Sequence, residues 1–141
     1  MPWTLFRLCS TITAVLLLDQ AVFAGQFLSG SFGALHTHRE NATYAGLAAL
    51  VTAAAGLLAR WRGGGPWWPA VVYGGLFLLV AAQIALGFAR LLTVHVPLGA
   101  AIIALAVGGT VRAWRTRPQR RLATSGTRSE PDRTDTGAWR L

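Results

Sequence analysis

The chain has few charged residues and a single cysteine, and these shortages exclude several classes of protein. Only 13% of its 141 residues are charged while 53% are hydrophobic, and the mean hydropathy is +0.45. A soluble globular domain carries about 25% charged residues, and a disordered chain has too little apolar sequence to form a core. Cys9 has no second cysteine to pair with, so a disulfide scaffold is excluded.

Acidic residues are scarce, and the net charge of +8 is spread unevenly. Residues 1–112 carry six arginines and two acids, whereas residues 113–141 carry seven arginines and three acids. The short C-terminal part therefore holds half of the net charge. An arginine cluster directly after an apolar helix is typical of the cytoplasmic end of a membrane span. We interpret the charge as a membrane signal and expect no nucleic-acid partner.

Four apolar windows approach the length of about 20 residues that a helix needs to cross a bilayer. They cover residues 5–28, 41–59, 69–89 and 93–111. None alternates apolar and polar residues as the strands of a membrane β-barrel do. The connections are short, and a Gly-rich turn at 63–66 separates the second and third windows. These features predict an all-α, up-down-up-down four-helix bundle in the lipid bilayer over residues 1–114.

Arginines and tryptophans indicate which ends of the helices face the cytoplasm. With the N-terminus inside, eight arginines of the short flanks are cytoplasmic and only Arg39 and Arg90 lie outside. Five tryptophans fall at the same inner interface, where an indole suits the headgroup region. The sequence thus predicts a multi-pass protein of the cell membrane with both termini cytoplasmic. Residues 115–141 are expected to form a disordered basic tail.

The N-terminus also resembles a secretory signal peptide. Arg7, the apolar stretch after it and the small residue Ala24 correspond to a charged start, a hydrophobic centre and a cleavage site. Apolar sequence resumes at residues 26–28, however, which favours a continuing helix over a cleaved leader.

Small residues recur every four positions in two of the windows. Such spacing lets helix backbones approach closely in a membrane. It predicts helix contacts through two stripes, one on the second helix and one on the fourth: Ala45, Ala49 and Ala53, and Ala100, Ala104 and Gly108.

Polar residues within the apolar windows are candidates for function, because lipid disfavours them. Asp19 and Gln26 lie on one face of the first helix, and Gln83 lies in the third. Together they predict a polar network that either joins helices by hydrogen bonds or serves a proton path.

Two histidines fall at similar depth on two parallel helices of the predicted bundle. His38 precedes the second apolar window, and His95 opens the fourth. Opposed imidazoles in a helical bundle are suitable axial ligands for haem iron. We therefore predict that His38 and His95 bind one haem near the outer face, and the alternative is that both histidines only face water or lipid headgroups. Arg39 and Arg90 lie close enough along the chain to pair with the haem propionates.

A weaker alternative is a metal site within residues 36–40. If this segment is extended, His36, His38 and Glu40 point the same way as alternating ligands. Three ligands in five residues rarely complete a site, and the intervening Arg39 repels a cation.

A small set of positions recurs in one known family of membrane proteins. In chain order they are His38-Arg39, Ala42, Tyr44, Gln83, Leu86-Gly87 and His95. At these positions the chain resembles one four-helix half of the haem A synthase family, over about residues 10–112. That family has two such bundles in tandem, and the resemblance implies haem binding by the two histidines. The chain is also similar to small four-helix membrane proteins of actinobacteria with no assigned function.

The chain departs from the catalytic half of that family. There a glutamate stands three residues before the histidine of the His-Arg pair, and Leu35 occupies this position here. Glu40 follows the histidine on another helix face and does not replace it. The resemblance therefore implies the half that holds haem b and argues against an enzyme, unless two chains pair.

The predicted function is electron transfer or haem handling beside a redox or respiratory-chain partner. Two other functions stay open. A cofactor-free structural or assembly subunit would be colourless and would tolerate loss of His95. A haem-modifying enzyme acting as a homodimer would depend on Asp19 or Glu40.

Overall fold

The computed structural model describes residues 2–116, and this part of the chain consists of four α-helices. Helix α1 spans Pro2–Leu28, α2 spans Ala34–Gly63, α3 spans Trp68–Phe88 and α4 spans Leu92–Arg115. All four are long and apolar enough to cross a membrane. Within the described residues the prediction of an all-α chain is confirmed, and the four helices have the length and composition of a multi-pass membrane protein. Most of the predicted tail lies outside the described residues.

The four helices pack in a ring. Helix α1 contacts α2 and α4, and α3 contacts the same two helices. One end of the ring holds the start of α1, the α2–α3 turn and the end of α4, and we call it the arginine-rich end. Its basic residues are Arg7, Arg60, Arg62, Arg112 and Arg115. The other end holds the α1–α2 and α3–α4 turns, and we call it the histidine end.

Helix α2 begins earlier than the hydropathy predicts. The second apolar window starts near residue 41, but the helix starts at Ala34. Polar residues lower the hydropathy of this first stretch while its backbone stays helical. Arg39 and Glu40 are exposed, whereas Asn41 is buried and donates from Nδ2 to the Leu16 carbonyl of α1 at 2.8 Å. His38 therefore lies inside α2 and not before it.

Helix α4 extends beyond its predicted end at residue 111. The Arg7 guanidinium of α1 donates to the carbonyls of Ala113 and Thr116 at 3.0 and 2.7 Å. These bonds satisfy carbonyls that a helix C-terminus leaves unpaired. The side chain of α1 thereby supports the last turn of α4, and Arg115, predicted to belong to the tail, is its final residue.

Small and hydroxyl side chains pack in the interior of the bundle beside large ones such as Phe6 and Tyr73, and many large apolar side chains cover its outside. Ala45 and Ala49 are fully buried, and the Thr13 and Thr52 hydroxyls hydrogen-bond across α1 and α2 at 2.9 Å. By contrast, large side chains of α1 such as Leu8 are exposed. Close packing of small residues inside and apolar side chains outside is the arrangement expected in lipid.

The two predicted stripes of small residues have different outcomes. On α2 the stripe is packed inside the bundle. On α4 the predicted stripe is wrong, because all three of its residues are exposed. A different small-residue face of α4 is buried instead, and it comprises Ala106, Gly109 and Ala113.

Candidate functional site

His38 of α2 and His95 of α4 face each other at the histidine end. Their ring centroids are 6.2 Å apart and their ring planes are inclined by 59°. The two side chains come from helices that are diagonally opposite in the ring, so they meet in the interior. Both residues are half-buried. The structure thus brings together the two histidines that the sequence singles out.

His38 is held by α1 through a reciprocal pair of hydrogen bonds. Its Nδ1 lies 3.1 Å from the carbonyl oxygen of Gln20, and the Gln20 amide donates back to the His38 carbonyl at 3.1 Å. The two bonds close a loop between the end of α1 and the start of α2. Ring orientation and helix packing are therefore coupled at this point.

His95 is held by α3 in the same way. Its Nδ1 lies 3.0 Å from the carbonyl oxygen of Gln83, and the Gln83 amide donates to the His95 carbonyl at 2.6 Å. Each helical hairpin therefore carries one copy of the same Gln–His arrangement, which we call a clamp. The two clamps present their imidazoles to each other across the bundle.

The clamps determine which ring nitrogen carries the proton. A carbonyl oxygen only accepts hydrogen bonds, so Nδ1 of each histidine must be the donor. In a neutral imidazole the other nitrogen, Nε2, then has a free lone pair. A backbone carbonyl that fixes the tautomer in this way is the usual outer partner of a metal-bound histidine.

The separation of the rings also suits a single metal ion between them. An imidazole nitrogen bonds a transition metal at about 2 Å, so two opposed imidazoles on one ion have centroids about 6 Å apart. The observed 6.2 Å is close to this value, and it is also an ordinary distance between the centroids of two packed rings. The donor set of two neutral imidazoles is one that haem iron accepts. The chemistry of His38 and His95 therefore fits haem iron.

Two glycines allow the clamp on α3 and α4 to form. A Cβ atom on Gly87 would lie 3.1 Å from Cε1 of His95, and one on Gly99 would lie 2.7 Å from Nε2 of Gln83. Both side chains of the clamp therefore pack directly on backbone. The Gln83 Oε1 atom is buried with no partner among the described residues, so the site contains an unused hydrogen-bond acceptor.

Arg39 and Arg90 both lie at the histidine end beside the end of α3. The Arg39 guanidinium carbon lies 5.4 Å from the centroid of the Phe88 ring, two residues before Arg90. Neither arginine forms an ion pair with a carboxylate of residues 2–116. Both side chains are exposed, and both are therefore available to an anionic group at this end.

Arg90 has a backbone conformation that favours glycine. Its φ is 58°, and the amides of Arg90 and Leu91 donate back to the carbonyls of Gly87 and Leu86. This is the Schellman ending of a helix, in which the left-handed position is usually glycine. The α1–α2 turn has the same pattern with Gly30 at the equivalent position. An arginine with this backbone conformation costs about 1 kcal/mol relative to glycine. The cost makes the Arg90 side chain a candidate for a role at the histidine end.

The predicted polar network does not form among the described residues. Gln26 is exposed, Asp19 is half-buried, and no hydrogen bond joins either of them to Gln83. The Gln83 amide is used instead in the clamp with His95.

The alternative metal site at residues 36–40 fails because this segment is helical and not extended. In a helix His36 and His38 point to different faces. The His36 ring faces outward and lies 3.6 Å from the Glu40 carboxylate. Within residues 2–116 no group of three metal-ligating side chains occurs.

The role of Gln20 is the main feature that the sequence interpretation misses. Gln20 and His38 are distant in sequence, and no local motif joins them. A repeated pattern in the sequence could have indicated this role. Twice along the chain, a glutamine in the second half of one helix is followed by a histidine early in the next helix.

Comparison with known proteins yields no match: no family model, no curated protein and no solved structure is significantly similar to this chain.

Proposed function

We propose that this chain is a membrane protein of the b-type cytochrome kind, with one haem b held between His38 and His95. The observation that carries the proposal is the pair of opposed imidazoles at 6.2 Å, each with its Nδ1 bound to a backbone carbonyl. Within residues 2–116 the rings of His38 and His95 hydrogen-bond only to backbone carbonyls and to no hydroxyl or thiol. We therefore favour electron transfer or haem handling over catalysis.

The residues of the site would have different roles in binding haem. His38 and His95 would hold the iron through Nε2, and the carbonyls of Gln20 and Gln83 accept from Nδ1, which leaves the Nε2 lone pair of each neutral ring free. Arg39 and Arg90 would pair with the propionates. A bound haem supplies one-electron exchange with a redox partner.

In the membrane, the arginine-rich end faces the cytoplasm in this proposal. Basic residues concentrate on the cytoplasmic side of membrane proteins, which supports an up-down-up-down bundle in the cell membrane with both termini inside. The haem would then lie near the outer face, accessible to a respiratory-chain partner. The arrangement is the one that the resemblance to the haem b-binding half of haem A synthases implies.

A second candidate function rests on the clamps themselves. Each clamp joins two helices by two hydrogen bonds, so the same residues would also stabilise a cofactor-free structural or assembly subunit. In that case the imidazoles are helix links and Nε2 has no ligand to bind.

The absorption spectrum of the purified full-length chain separates the two candidates. We expect protein from haem-replete cells to show a sharp α-band in the b-type region after dithionite reduction, with one haem per chain. A colourless protein that does not take up haemin would refute the cytochrome proposal and favour the structural subunit.

The clamp glutamines are expected to tune haem affinity without binding the iron. Gln20→Leu or Gln83→Leu removes the amide that donates to the histidine carbonyl, whereas the backbone carbonyl that accepts from Nδ1 is kept. The bond to the ring itself therefore stays, and haem affinity should fall by less than the roughly 10-fold that loss of a ligand's own outer partner causes. Haemin titration measures this, and Gln26→Leu is the matched control because Gln26 is exposed and forms no side-chain hydrogen bond within the described residues. Equal affinities for all three variants would contradict the role of the clamps.

Replacing Arg90 with glycine is expected to have opposite effects on stability and on haem binding. Glycine adopts positive φ without strain, so Arg90→Gly should raise the free energy of unfolding of the apoprotein by up to about 1 kcal/mol. Loss of the guanidinium should weaken haem binding in the same variant. Chemical unfolding and haemin titration measure the two effects, and unchanged haem affinity would remove Arg90 from the site.

A further inference from the structure

A groove opens between α3 and α4 near the arginine-rich end, far from the histidines along α4. Its volume is about 300 Å³. The lining on α4 includes Ala104, which has only a methyl side chain, and Gly108, which has none, and Val72 lines the groove from α3. The groove is therefore apolar along its length, and it opens on the outer surface of the bundle.

One charged residue stands at the end of this groove. The Arg112 guanidinium carbon lies 4.5 Å from the centroid of the Trp68 ring, and both residues line the groove. Stacking on the indole fixes the planar cation while leaving its edge free for an anion. From Ala104 to Arg112 the helix rises about 12 Å, so an apolar chain in the groove would bring an attached headgroup to the arginine.

The charge around the groove is of one sign. Asp19 and Glu40 are the acidic residues within 2–116, and neither lies at the arginine-rich end. Arg7 uses its guanidinium to support the last turn of α4, whereas Arg112 forms no ion pair with a carboxylate in the part of the chain described by the structure. An anionic occupant therefore complements this end, and a zwitterionic one does so less well.

We propose that this groove is a binding site for an anionic phospholipid, with an acyl chain against Ala104 and Gly108 and the phosphate on Arg112. Four helices that are apolar enough to cross a membrane place lipid acyl chains against the outer surface of the bundle. A phospholipid is therefore present wherever the groove opens to the bilayer. Selectivity for an anionic headgroup then comes from Arg112. The proposal is independent of the haem, because the groove and the histidine pair lie at opposite ends.

Quenching of tryptophan fluorescence by brominated lipids tests the site, because Trp68 lines the groove. Three other tryptophans of this end are exposed, so they and Trp139 are first replaced by phenylalanine: Trp61, Trp67 and Trp114. The full-length protein is placed in nanodiscs containing a small fraction of acyl-brominated phosphatidylglycerol or phosphatidylcholine. We expect phosphatidylglycerol to quench at a lower mole fraction. One arginine at a membrane surface corresponds to about a five-fold preference for anionic lipid, and Arg112→Gln should remove it.

Two matched controls separate the groove from general surface effects. Arg115→Gln removes an exposed arginine of the same end outside the groove, and it should keep the preference. Ala104→Leu fills the groove and should abolish the preference, whereas Ala54→Leu enlarges an exposed alanine of α2 and should not. Circular dichroism checks that the variants keep their helix content.

Three results would overturn the proposal. Equal quenching by the two lipids in the wild type would show that the groove does not select an anion. An equal loss in Arg112→Gln and Arg115→Gln would assign the preference to overall charge. Weak quenching by both lipids, with a dimer that Ala104→Leu dissociates, would assign the groove to a second copy of the chain.

Discussion

His38→Ala and His95→Ala are each expected to abolish the reduced α-band of the protein. Each substitution removes one of two opposed imidazoles, and no other histidine lies within reach to replace it in residues 2–116. Loss of outer partners alone weakens metal binding 10–100-fold, so loss of a ligand should exceed about 100-fold. Absorption spectra and haemin titration of the purified variants measure this loss.

The third histidine provides the control for this experiment. His36 lies two residues from His38 in the same helix, but its side chain is 77% exposed and pairs with Glu40. His36→Ala should therefore keep the α-band and the haem affinity of the wild type. A wild-type band in His95→Ala, or its loss in His36→Ala, would contradict the assignment of the ligands.

Gly56→Ala is expected to be the most destabilising of the glycine-to-alanine changes among the described residues. A Cβ at Gly56 would lie 2.7 Å from Cβ of Pro69 and 3.0 Å from the backbone nitrogen of Ala70. Neither of these atoms is the end of a flexible side chain, so α2 and α3 must move apart. Overpacking of this kind costs about 1–3 kcal/mol of unfolding free energy.

The matched control for Gly56 is a glycine of α3 with open space around it. No atom lies within 4 Å of a Cβ built on Gly75, so Gly75→Ala should leave stability unchanged or slightly higher. Unfolding in detergent, followed by circular dichroism, compares the two variants. If Gly56→Ala is as stable as Gly75→Ala, the close approach of α2 and α3 is not what holds them together.

Hydropathy predicts the four helices because the length of a membrane span constrains the sequence strongly. It fails at the start of α2, where His36, Arg39 and Glu40 lower the average although the chain is already helical. Polar residues at the end of a membrane helix are compatible with helix geometry, and hydropathy cannot distinguish them from a loop. Helix boundaries at the ends of spans are therefore the least predictable part of this fold.

The histidine pair could be predicted because ionisable side chains are rare in apolar helices, and the alternation of helix direction places His38 and His95 at the same end of the bundle. The hydrogen-bond partners of the two rings could not be predicted, because each clamp joins a side chain to the backbone of another helix. A backbone carbonyl has no sequence signature. The polar-network prediction for Gln83 fails for this reason. It assigns Gln83 a side-chain partner, whereas the Gln83 amide donates to the main-chain carbonyl of His95.

The stripe on α4 shows a second limit of sequence reasoning. Ala100, Ala104 and Gly108 have the spacing of a packing face but are exposed, while Ala106 and Gly109 are buried. Alanine and glycine are frequent all around this helix, so spacing alone does not select the face that packs. The buried face is decided by contacts with α1 and α3, including the Tyr73 hydroxyl beside Gly109.

Electron paramagnetic resonance of the oxidised, haem-loaded protein tests the central claim most directly, because it reports the axial ligands of the iron. Ligation by both His38 and His95 predicts a low-spin ferric signal of the bis-imidazole type. In either single alanine variant, any iron that remains bound should become high-spin. A high-spin signal in the wild type, or an unchanged low-spin signal in a variant, would contradict haem binding between the two histidines.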